Sequence, residues 1–282
     1  MSIPTIPVFQ KTILDWYKKN GRHDLPWRHT SDPYHILVSE VMLQQTQVDR
    51  VIPKFISFLR KFPTAEKLSK ATTQALLKEW KGLGYNRRAL YLQRAAKMIT
   101  EDFGGTFPCD PAIIETLPGV GHYTARAVAA FAFDAPYAFI ETNIRRIFIH
   151  FFFPGSEKVS DADIFPLVEK ALWKKSPRVW YGALMDYGAC AMKDVSNPNK
   201  KSTHYVRQSR FEGSRRYARA KIIDFLVGKS KNVSKKTLLA FMSTDPLLVP
   251  FAIQSELENT MSALVREGFI QQTSRGWNIY CQ

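Results

Sequence analysis

Residues 117–124 read Leu-Pro-Gly-Val-Gly-His-Tyr-Thr and lie between two segments in which apolar residues recur at helical spacing. The pair Asp110-Pro111 predicts a short helix that ends at Leu117, and residues 122–133 predict the next helix. Pro118-Gly-Val-Gly121 then forms the tight turn between them, and its glycines allow close approach to the backbone. Such a hairpin presents N–H groups at a helix N-terminus, where a phosphate of a DNA strand binds well. Taken alone, however, the pattern is explained better by an ordinary turn between helices.

The charge of the chain favours a nucleic acid partner. Its 282 residues include 40 Lys and Arg against 25 Asp and Glu, a formal net charge of +15 with a sequence pI near 9.7. A basic protein attracts polyanions, because each neutralised phosphate releases a bound counterion. On charge alone, DNA or RNA binding is favoured over an unspecialised basic protein by only about two to one. The length predicts two or three packing units.

Three features bear on the compartment. No run of about 18 apolar residues occurs, so no membrane span is expected. The first residues lack the charged lead and apolar core of a secretion signal. Cys109, Cys190 and Cys281 are widely separated, which fits reduced thiols better than disulfides. We therefore expect a cytoplasmic protein, associated with the nucleoid if it is bacterial.

A second motif, Ser-Glu-Val-Met-Leu-Gln-Gln-Thr at residues 39–46, lies on a predicted helix. Asp32-Pro33 is a good helix start, since Asp caps free amides and Pro fits the first turn. The spacing predicts one packing side and one polar side, and Pro53 is expected to bend or end the element. The packing side carries Val38, Val41, Met42, Gln45 and Val48, and the polar side carries Glu40, Gln44 and Gln47.

The remaining sequence predicts a mainly α protein in three parts. Residues 1–196 show no compelling strand and form the first domain. Residues 197–213 are rich in Lys, Arg, Ser and Asn, which favours a basic linker. Three helix candidates and a terminal hairpin, which runs to Cys281, predict a winged-helix-like domain at 214–282. Glu256 and Glu258 near the start of its third helix make partner binding as plausible as DNA contact.

Together with Glu141-Thr-Asn143, the two motifs resemble the helix-hairpin-helix DNA glycosylases, and most closely the MutY-type adenine glycosylases. The resemblance covers roughly residues 10–192. It implies a helix-hairpin-helix glycosylase fold with two helical lobes within residues 1–196. It also implies an enzyme that flips a base out of duplex DNA and cleaves its N-glycosidic bond.

The resemblance implies four catalytic residues. Glu40 would protonate the leaving base, and partial burial would raise its pKa. Glu141 stands where the family has an aspartate and would stabilise the oxocarbenium-like sugar, with Asn143 beside it. Tyr123 replaces the lysine with which bifunctional relatives form a Schiff base. We therefore expect a monofunctional glycosylase that uses water.

The residues alone leave simpler explanations for both carboxylates. Most glutamates on helices are solvated, and Glu40 would fit that description. Glu141 would equally suit a helix start facing Arg145 or Arg146. Its extra methylene, relative to the family's aspartate, would displace the carboxylate by about 1 Å. Either the pocket is built around the longer side chain, or the substrate differs.

The resemblance also implies residues that contact DNA or line the base pocket. Gln45 is the candidate for insertion beside the base opposite the excised one, although its place on the packing side allows a buried structural role. Asn86 stands where the adenine enzymes usually have a wedging tyrosine, and an amide wedges poorly between bases. The pocket set comprises Trp27, Arg28 and Leu43. The DNA-contacting set comprises Gln44, Gln45, Thr46, Leu83, Tyr85, Asn86, Arg87, Pro118, Gly119, Val120, Gly121 and His122.

Two features of the family are not matched. Relatives commonly bind a four-iron cluster through four cysteines just after the segment that corresponds to residues 185–189, where this chain has only Cys190. We therefore expect no iron–sulfur cluster, no other metal and no cofactor. The C-terminal Nudix-like domain that reads 8-oxoguanine is also unmatched, since residues 214–282 are too few and begin with helices.

The sequence thus predicts a monomeric DNA glycosylase of base excision repair that acts on duplex DNA with a mismatch or lesion. Adenine opposite 8-oxoguanine or guanine is the leading substrate. Thymine, or another mismatched or damaged base, comes second, because Tyr123 and a carboxylate pair serve there equally well. A DNA-structure-binding protein that has lost the chemistry comes third, motivated by Glu141 and Asn86.

Overall fold

The structure, a computed structural model, describes residues 3–280, so that Cys281 lies outside the described residues. Helices make up most of this part of the chain, and its only sheet is a two-stranded antiparallel hairpin. The mainly α fold predicted from the sequence is therefore confirmed. In chain order the elements are α1 (Ile6–Asn20), α2 (Pro33–Leu43), α3 (Val48–Lys61), α4 (Ala65–Ser69), α5 (Thr73–Trp80), α6 (Arg87–Glu101), α7 (Pro111–Ile114), α8 (His122–Phe133), α9 (Thr142–Phe152), α10 (Asp161–Ala171), α11 (Pro177–Asp186), α12 (Arg215–Val227), α13 (Lys235–Met242), α14 (Gln254–Arg266), β1 (Ile270–Thr273) and β2 (Gly276–Ile279).

Side-chain caps set several helix starts where the sequence predicts them. Asp32 accepts hydrogen bonds from the backbone N–H groups of Tyr34 and His35 at 2.8 and 3.1 Å. Asp110 caps α7 in the same manner, through the N–H of Ala112 at 2.9 Å. Each cap satisfies amides that the helix itself leaves without a partner, which stabilises the helix by roughly 1 kcal/mol.

The chain forms two compact units, and the first contains residues up to Val41 together with Phe107–Arg207. Within it, α11 packs against α1, α8 and α9. Aromatic rings fill the centre: Phe9 of α1 meets Phe148 and Trp180 edge-on, with ring centroids 5.2 and 5.9 Å apart. Such pairs add about 0.5–1.5 kcal/mol each to the burial of their apolar surface.

The second unit contains Met42–Thr106 and the chain from Gln208 onward. Helix α4 packs along α6, and α5 packs against α3, α6 and α12. The side-chain amide of Gln74 on α5 donates to carbonyl oxygens at the end of α12, both at 3.1 Å. Helices α12–α14 and the hairpin follow one another as a winged helix does, and Val233 extends the hairpin by a bridge to Trp277.

Helix α2 differs from the prediction in two respects. It ends at Leu43, so Gln44, Gln45 and Gln47 lie beyond it, and Val48 begins the separate helix α3. It also has no polar side, because every residue from Ile36 to Met42 is buried. The prediction of an amphipathic helix carrying all these glutamines was wrong.

Pro53 lies inside α3 and does not end it. The helix begins only at Val48, so the proline removes a single backbone hydrogen bond from a helix that continues to Lys61. Among the described helices, none is both long enough and apolar enough to cross a membrane.

Candidate active site

Glu40 lies in the last turn of α2 and only 6% of it is exposed. The hydroxyl group of Tyr123, on α8, donates a hydrogen bond to its carboxylate at 2.8 Å. Burial raises the pKa of Glu40 to about 7, which the hydrogen bond from Tyr123 opposes, while the charge of Glu141 raises it and that of Arg28 lowers it. A carboxyl group with this pKa keeps a proton that it can donate near neutral pH.

Glu141 is the N-cap of α9. Its Oε1 accepts hydrogen bonds from the backbone N–H groups of Asn143 and Ile144 at 2.7 and 2.8 Å, and its Oε2 accepts one from the Asn143 amide at 3.3 Å. Burial raises the pKa of Glu141, whereas the two backbone N–H groups lower it. The helix N-terminus thus holds this carboxylate in one orientation and favours its negative charge. It is the carboxylate of the pair that is better suited to remain an anion.

The guanidinium groups of the two neighbouring arginines bond to groups other than the Glu141 carboxylate. Arg145 forms a two-point ion pair with Asp161, with N–O distances of 2.6 and 2.7 Å. Arg146 donates to the carbonyl oxygens of Gly188 and Met192. Its bond to Gly188 is 3.0 Å long. Glu141 does start α9, as the simpler explanation expects, and the charge of Arg145 lowers its pKa, but its carboxylate forms no ion pair with either arginine.

An apolar wall stands beside the Glu40–Tyr123 pair. The Tyr123 ring meets Phe139 edge-on at 5.6 Å, and Phe139 stacks on Tyr181 at 3.8 Å. Burial raises the pKa of Tyr123 well above its usual value, as does the Glu40 carboxylate. Tyr123 is therefore a hydrogen-bond donor at physiological pH.

Gly188 allows the start of α9 to approach the segment that follows α11. A Cβ atom at this position would lie 2.7 Å from the Cβ of Asn143 and 2.8 Å from its carbonyl oxygen. These distances are too short for any side chain larger than hydrogen. The position of Asn143, and through it that of Glu141, depends on this glycine.

The predicted pocket residues Trp27 and Arg28 lie in a short turn, Pro26–Arg28, of the same unit. Trp27 is buried. Arg28 donates to the hydroxyl of Tyr17 at 2.7 Å and to the carboxylate of Asp186 at 3.2 Å. Asp186 is fully buried, so this ion pair fixes α1 and α11 to the turn. A direct contact of Trp27 or Arg28 with a base stays a prediction.

The predicted hairpin connects α7 to α8. Gly119 adopts a left-handed backbone with φ of 78°, and Gly121 is the N-cap of α8. Val120 is buried and anchors the turn, while Pro118 is partly exposed and both glycines are exposed. A glycine N-cap has no side chain to occupy the first amides of α8, which leaves them to water or to an anion. His122 is exposed and lies 3.2 Å from Glu115.

Comparison with known proteins identifies the family of this fold and site. The family model described as "HhH-GPD superfamily base excision DNA repair protein" matches residues 38–175, a span that contains Glu40, Tyr123 and Glu141. A protein of Mycolicibacterium smegmatis named adenine DNA glycosylase is 31% identical in an alignment of 281 positions, which covers 94% of this chain and 93% of that one. The chain belongs to the HhH-GPD superfamily.

Other known proteins match parts of the chain. The adenine DNA glycosylase of Buchnera aphidicola subsp. Baizongia pistaciae is 39% identical over 60% of this chain, but the match spans only 46% of that protein. The structure of a thermostable thymine-DNA glycosylase superposes with a TM-score of 0.63 at 32% identity, covering 70% of this chain and 91% of that one. An endonuclease III–DNA complex shares the fold, with a TM-score of 0.59 at 20% identity. The resemblance stated from the motifs is confirmed.

In this HhH-GPD chain, Arg88 organises the residues that follow α2. It is buried, and burial lowers its pKa to about 10. Its guanidinium group donates to five acceptors in the two turns beside it, with N–O distances between 2.6 and 3.0 Å. The acceptors are the carbonyl oxygens of Met42, Gln44, Leu83 and Gly84 and the hydroxyl oxygen of Thr46. In the sequence alone, Arg88 is only a basic residue beside Arg87, and nothing local indicates these contacts.

The predicted DNA-contacting residues of the second unit differ in exposure. Leu83 is buried, and its carbonyl oxygen accepts from Arg88 and from the Thr46 hydroxyl, so it shapes the turn. Arg87 is exposed and forms an ion pair with Glu267 at 2.9 Å. The other members of the set are exposed or partly exposed at the surface of the two turns: Gln44, Gln45, Thr46, Tyr85 and Asn86. Leu43, assigned to the base pocket, is partly exposed at the end of α2.

The residues of this chain do not fit the four-iron cluster that the family resemblance brings into question. Four thiolates are needed, and the sequence has three cysteines in all, of which Cys109 and Cys190 are described as free. Cys190 lies in a π-helical turn, Tyr187–Ala191, that follows α11. Arg146 holds this turn to α9, and the amide of Asn199 donates to the carbonyl oxygen of Thr142 at 3.1 Å. Hydrogen bonds thus fix the segment after α11.

Proposed function

We propose that this protein is a monofunctional DNA glycosylase of base excision repair that removes adenine opposite 8-oxoguanine or guanine. The observation that carries the proposal is the buried Glu40 carboxyl group, hydrogen-bonded by Tyr123 and electrostatically coupled to Glu141. Membership of the HhH-GPD superfamily supplies the reaction class, cleavage of an N-glycosidic bond. The match along 94% of the chain to a protein named adenine DNA glycosylase supports adenine as the base.

In the proposed mechanism the two carboxylates have different tasks. Glu40 donates its proton to the flipped base, so that the electrons of the glycosidic bond leave with a neutral base. Glu141, oriented by the N-terminus of α9, remains an anion and stabilises the positive charge that develops on the sugar. A water molecule then adds to C1′ of the sugar cation and gives up a proton, which the Glu40 carboxylate, now ionised, takes, and an abasic site is left. Asn143 keeps Glu141 in place through its backbone and side-chain amides.

Tyr123 limits the enzyme to hydrolysis. A Schiff base with the sugar requires an amine, and the position two residues after Gly121 carries a phenol. With its pKa raised by burial, Tyr123 donates a hydrogen bond to Glu40 and takes no covalent part. The proposed product is an intact strand with an abasic site.

Glutamate in place of the family's aspartate is compatible with this mechanism. The backbone of Asn143 and Ile144 holds the Glu141 carboxylate at two points, so the added methylene does not leave it mobile. We propose that the site is built around the longer side chain. The two hydrogen bonds that hold the Glu141 carboxylate favour an active enzyme over a DNA-binding protein without catalytic activity.

We propose that the remaining features follow the DNA-repair role. The hairpin at residues 117–121 and the turns after α2 and before α6 bind duplex DNA, with Gln45 beside the base opposite the excised one. The protein works as a monomer without a cluster or other cofactor, in the compartment that holds the chromosome. The mycobacterial relative, which this chain matches over 93% of its length, supports adenine excision by a protein of this domain content.

Thymine is the second candidate substrate, because the thymine-DNA glycosylase structure is 32% identical to this chain. The test is to incubate the protein with duplexes carrying adenine or thymine opposite each partner base, and then to treat them with alkali. Strand scission at adenine opposite 8-oxoguanine or guanine is the expected result. Scission at thymine alone would replace adenine by thymine, and tight binding without scission would support the inactive binding protein.

A further inference from the structure

Two residues at the surface of the second unit have a strained backbone. Among residues 3–280, three residues other than glycine have a positive φ, and two of them are Gln45 at 55° and Tyr85 at 46°. A left-handed backbone costs a residue with a side chain roughly 1 kcal/mol or more, and it persists where surrounding contacts impose it. Both side chains are exposed. The buried Arg88 holds the backbone of the two turns that contain these residues, and their side chains face outward.

Contacts from a distant part of the sequence hold both side chains. The amide nitrogen of Gln208 donates to the amide oxygen of Gln45 at 2.8 Å and also to the hydroxyl of Tyr85. Arg216 donates to the same hydroxyl at 2.9 Å. Its second amino group bonds the carbonyl and hydroxyl oxygens of Ser209 at 2.8 and 3.1 Å. Gln208 and Arg216 thus both bond to the Tyr85 hydroxyl, and Gln208 also links it to Gln45.

Stability alone explains this cluster poorly. Hydrogen bonds between long, solvent-exposed side chains contribute little, because water competes for each group and the side chains lose rotamer freedom. The second unit already has its own apolar contacts, with Ile222, Leu226 and Leu264 fully or almost fully buried. A strained, exposed polar cluster is better explained as a prepared surface for a ligand.

We propose that Gln208 and Arg216 determine the specificity of the enzyme by contacting the base opposite the excised nucleotide, together with Gln45 and Tyr85. The proposal rests on the proposed glycosylase function and on the assignment of Gln45 to that base. It adds Gln208 and Arg216, which lie where the chain enters the second unit again. The family motifs assign no role to either residue.

The chemistry of these side chains suits a purine. Arginine and glutamine make two-point hydrogen bonds with the exposed edges of guanine and adenine, respectively. Guanine and 8-oxoguanine both present O6, which accepts from Arg216, and a glutamine amide can accept from the N7–H that 8-oxoguanine carries. Cytosine, which carries an amino group where guanine has O6 and has no N7, offers neither arrangement. Each matched pair discriminates between bases by a factor of about ten or more.

The positive charge of the same segment requires a control. Arg215 and Arg216 both begin α12, and removal of either weakens the attraction to phosphates at all sequences alike. Arg215 is exposed and pairs at 2.9 Å with Glu256, a residue outside the cluster. Arg215→Ala is therefore the matched control for Arg216→Ala. Arg216→Lys keeps the charge but loses the planar fork.

The test is single-turnover excision of adenine from three duplexes, with 8-oxoguanine, guanine or cytosine opposite. We expect Arg216→Ala, Arg216→Lys and Gln208→Ala each to lower the rate ratio between the 8-oxoguanine and cytosine duplexes at least about tenfold. Arg215→Ala should change the three rates by the same factor. Thermal unfolding of each variant, compared with wild type, identifies any that has lost its fold.

Three results would overturn the inference. If the rate ratio between the 8-oxoguanine and cytosine duplexes is unchanged in both Gln208→Ala and Arg216→Lys, these residues do not recognise the opposite base. If Arg215→Ala lowers that ratio as much as Arg216→Ala does, Arg216 acts only through its attraction to phosphates. If Gln208→Ala excises adenine faster from all three duplexes, the contact of Gln208 with Gln45 and Tyr85 inhibits excision and does not recognise a base. Wild-type protein that excises no adenine refutes the proposed function itself, whereas active wild type with unchanged ratios in the variants refutes only this inference.

Discussion

Glu40→Gln should make the protein more stable in alkaline solution than the wild type. In the folded protein, burial raises the pKa of Glu40 from 4.5 to about 7, whereas the unfolded chain releases this proton near the ordinary value. Folded wild-type protein therefore binds more protons than unfolded protein between these values, and its stability falls as the pH rises through them. Glutamine is neutral and nearly isosteric, and its oxygen can still accept the Tyr123 hydrogen bond.

The expected magnitude follows from the two pKa values. At about 1.4 kcal/mol per pH unit, the interval from 4.5 to about 7 corresponds to roughly 3 kcal/mol. The difference in unfolding free energy between Glu40→Gln and wild type should rise by up to that amount between about pH 4.5 and pH 8. Below that window both states are protonated and the difference should stay constant.

Urea-induced unfolding, followed by circular dichroism at several pH values between 4.5 and 8, measures this difference. Glu169→Gln, which removes an exposed carboxyl group from the same unit, is the matched control. If the advantage of Glu40→Gln is the same at pH 5 and pH 8, burial does not hold a proton on Glu40. The assignment of Glu40 as the acid would then lose its physical basis.

Three further predictions concern the pH dependence of excision, the close approach at Gly188 and the hydrogen bonds of Arg88. Because only protonated Glu40 can donate, the single-turnover excision rate should fall about tenfold per pH unit above pH 7, and a rate that is flat to pH 9 would argue against it. Gly188→Ala should push Asn143 away and slow excision at least about tenfold, with little change in DNA affinity by gel shift; wild-type rates would show that the close approach is unimportant. Arg88→Ala removes the hydrogen-bond donor of four carbonyl oxygens. It should lower the free energy of unfolding of the second unit, measured in urea, by about 3 kcal/mol or more. A loss below about 1 kcal/mol would mean that water replaces the guanidinium group.

The helices were predictable because their starts are local. Asp32 and Asp110 cap the helices that follow them, and a cap needs only its own amides a few residues later. The hairpin between α7 and α8 was predictable for the same reason, since proline and glycine fix its backbone. The winged-helix-like order near the C-terminus followed from periodicity alone.

The end of α2 was not predictable from its own sequence. Apolar residues and glutamines at helical spacing indicated an amphipathic helix, yet the chain turns after Leu43. Arg88, which lies 44 residues beyond Gln44, takes the carbonyl oxygens that a longer helix would use. Such a contact over a long stretch of sequence overrides the local pattern.

The candidate site was predictable in part. The family motif pointed to Glu40 and Tyr123, and their 2.8 Å contact needed the fold of two segments 83 residues apart. The role of Gly188 had no local signal, because it depends on how closely α9 approaches. Gln208 lies in a segment that composition described only as basic, and Arg216 lies at the start of the C-terminal domain without a motif to single it out.

Transfer of a proton from Glu40 to the departing base is the central claim, and Glu40→Gln tests it most directly. Wild type and variant should be compared in single-turnover excision of adenine opposite 8-oxoguanine and in binding of the same duplex. We expect the variant to bind the duplex about as tightly as the wild type and to excise adenine at least about 100-fold more slowly. Excision by the variant at the wild-type rate would contradict the claim.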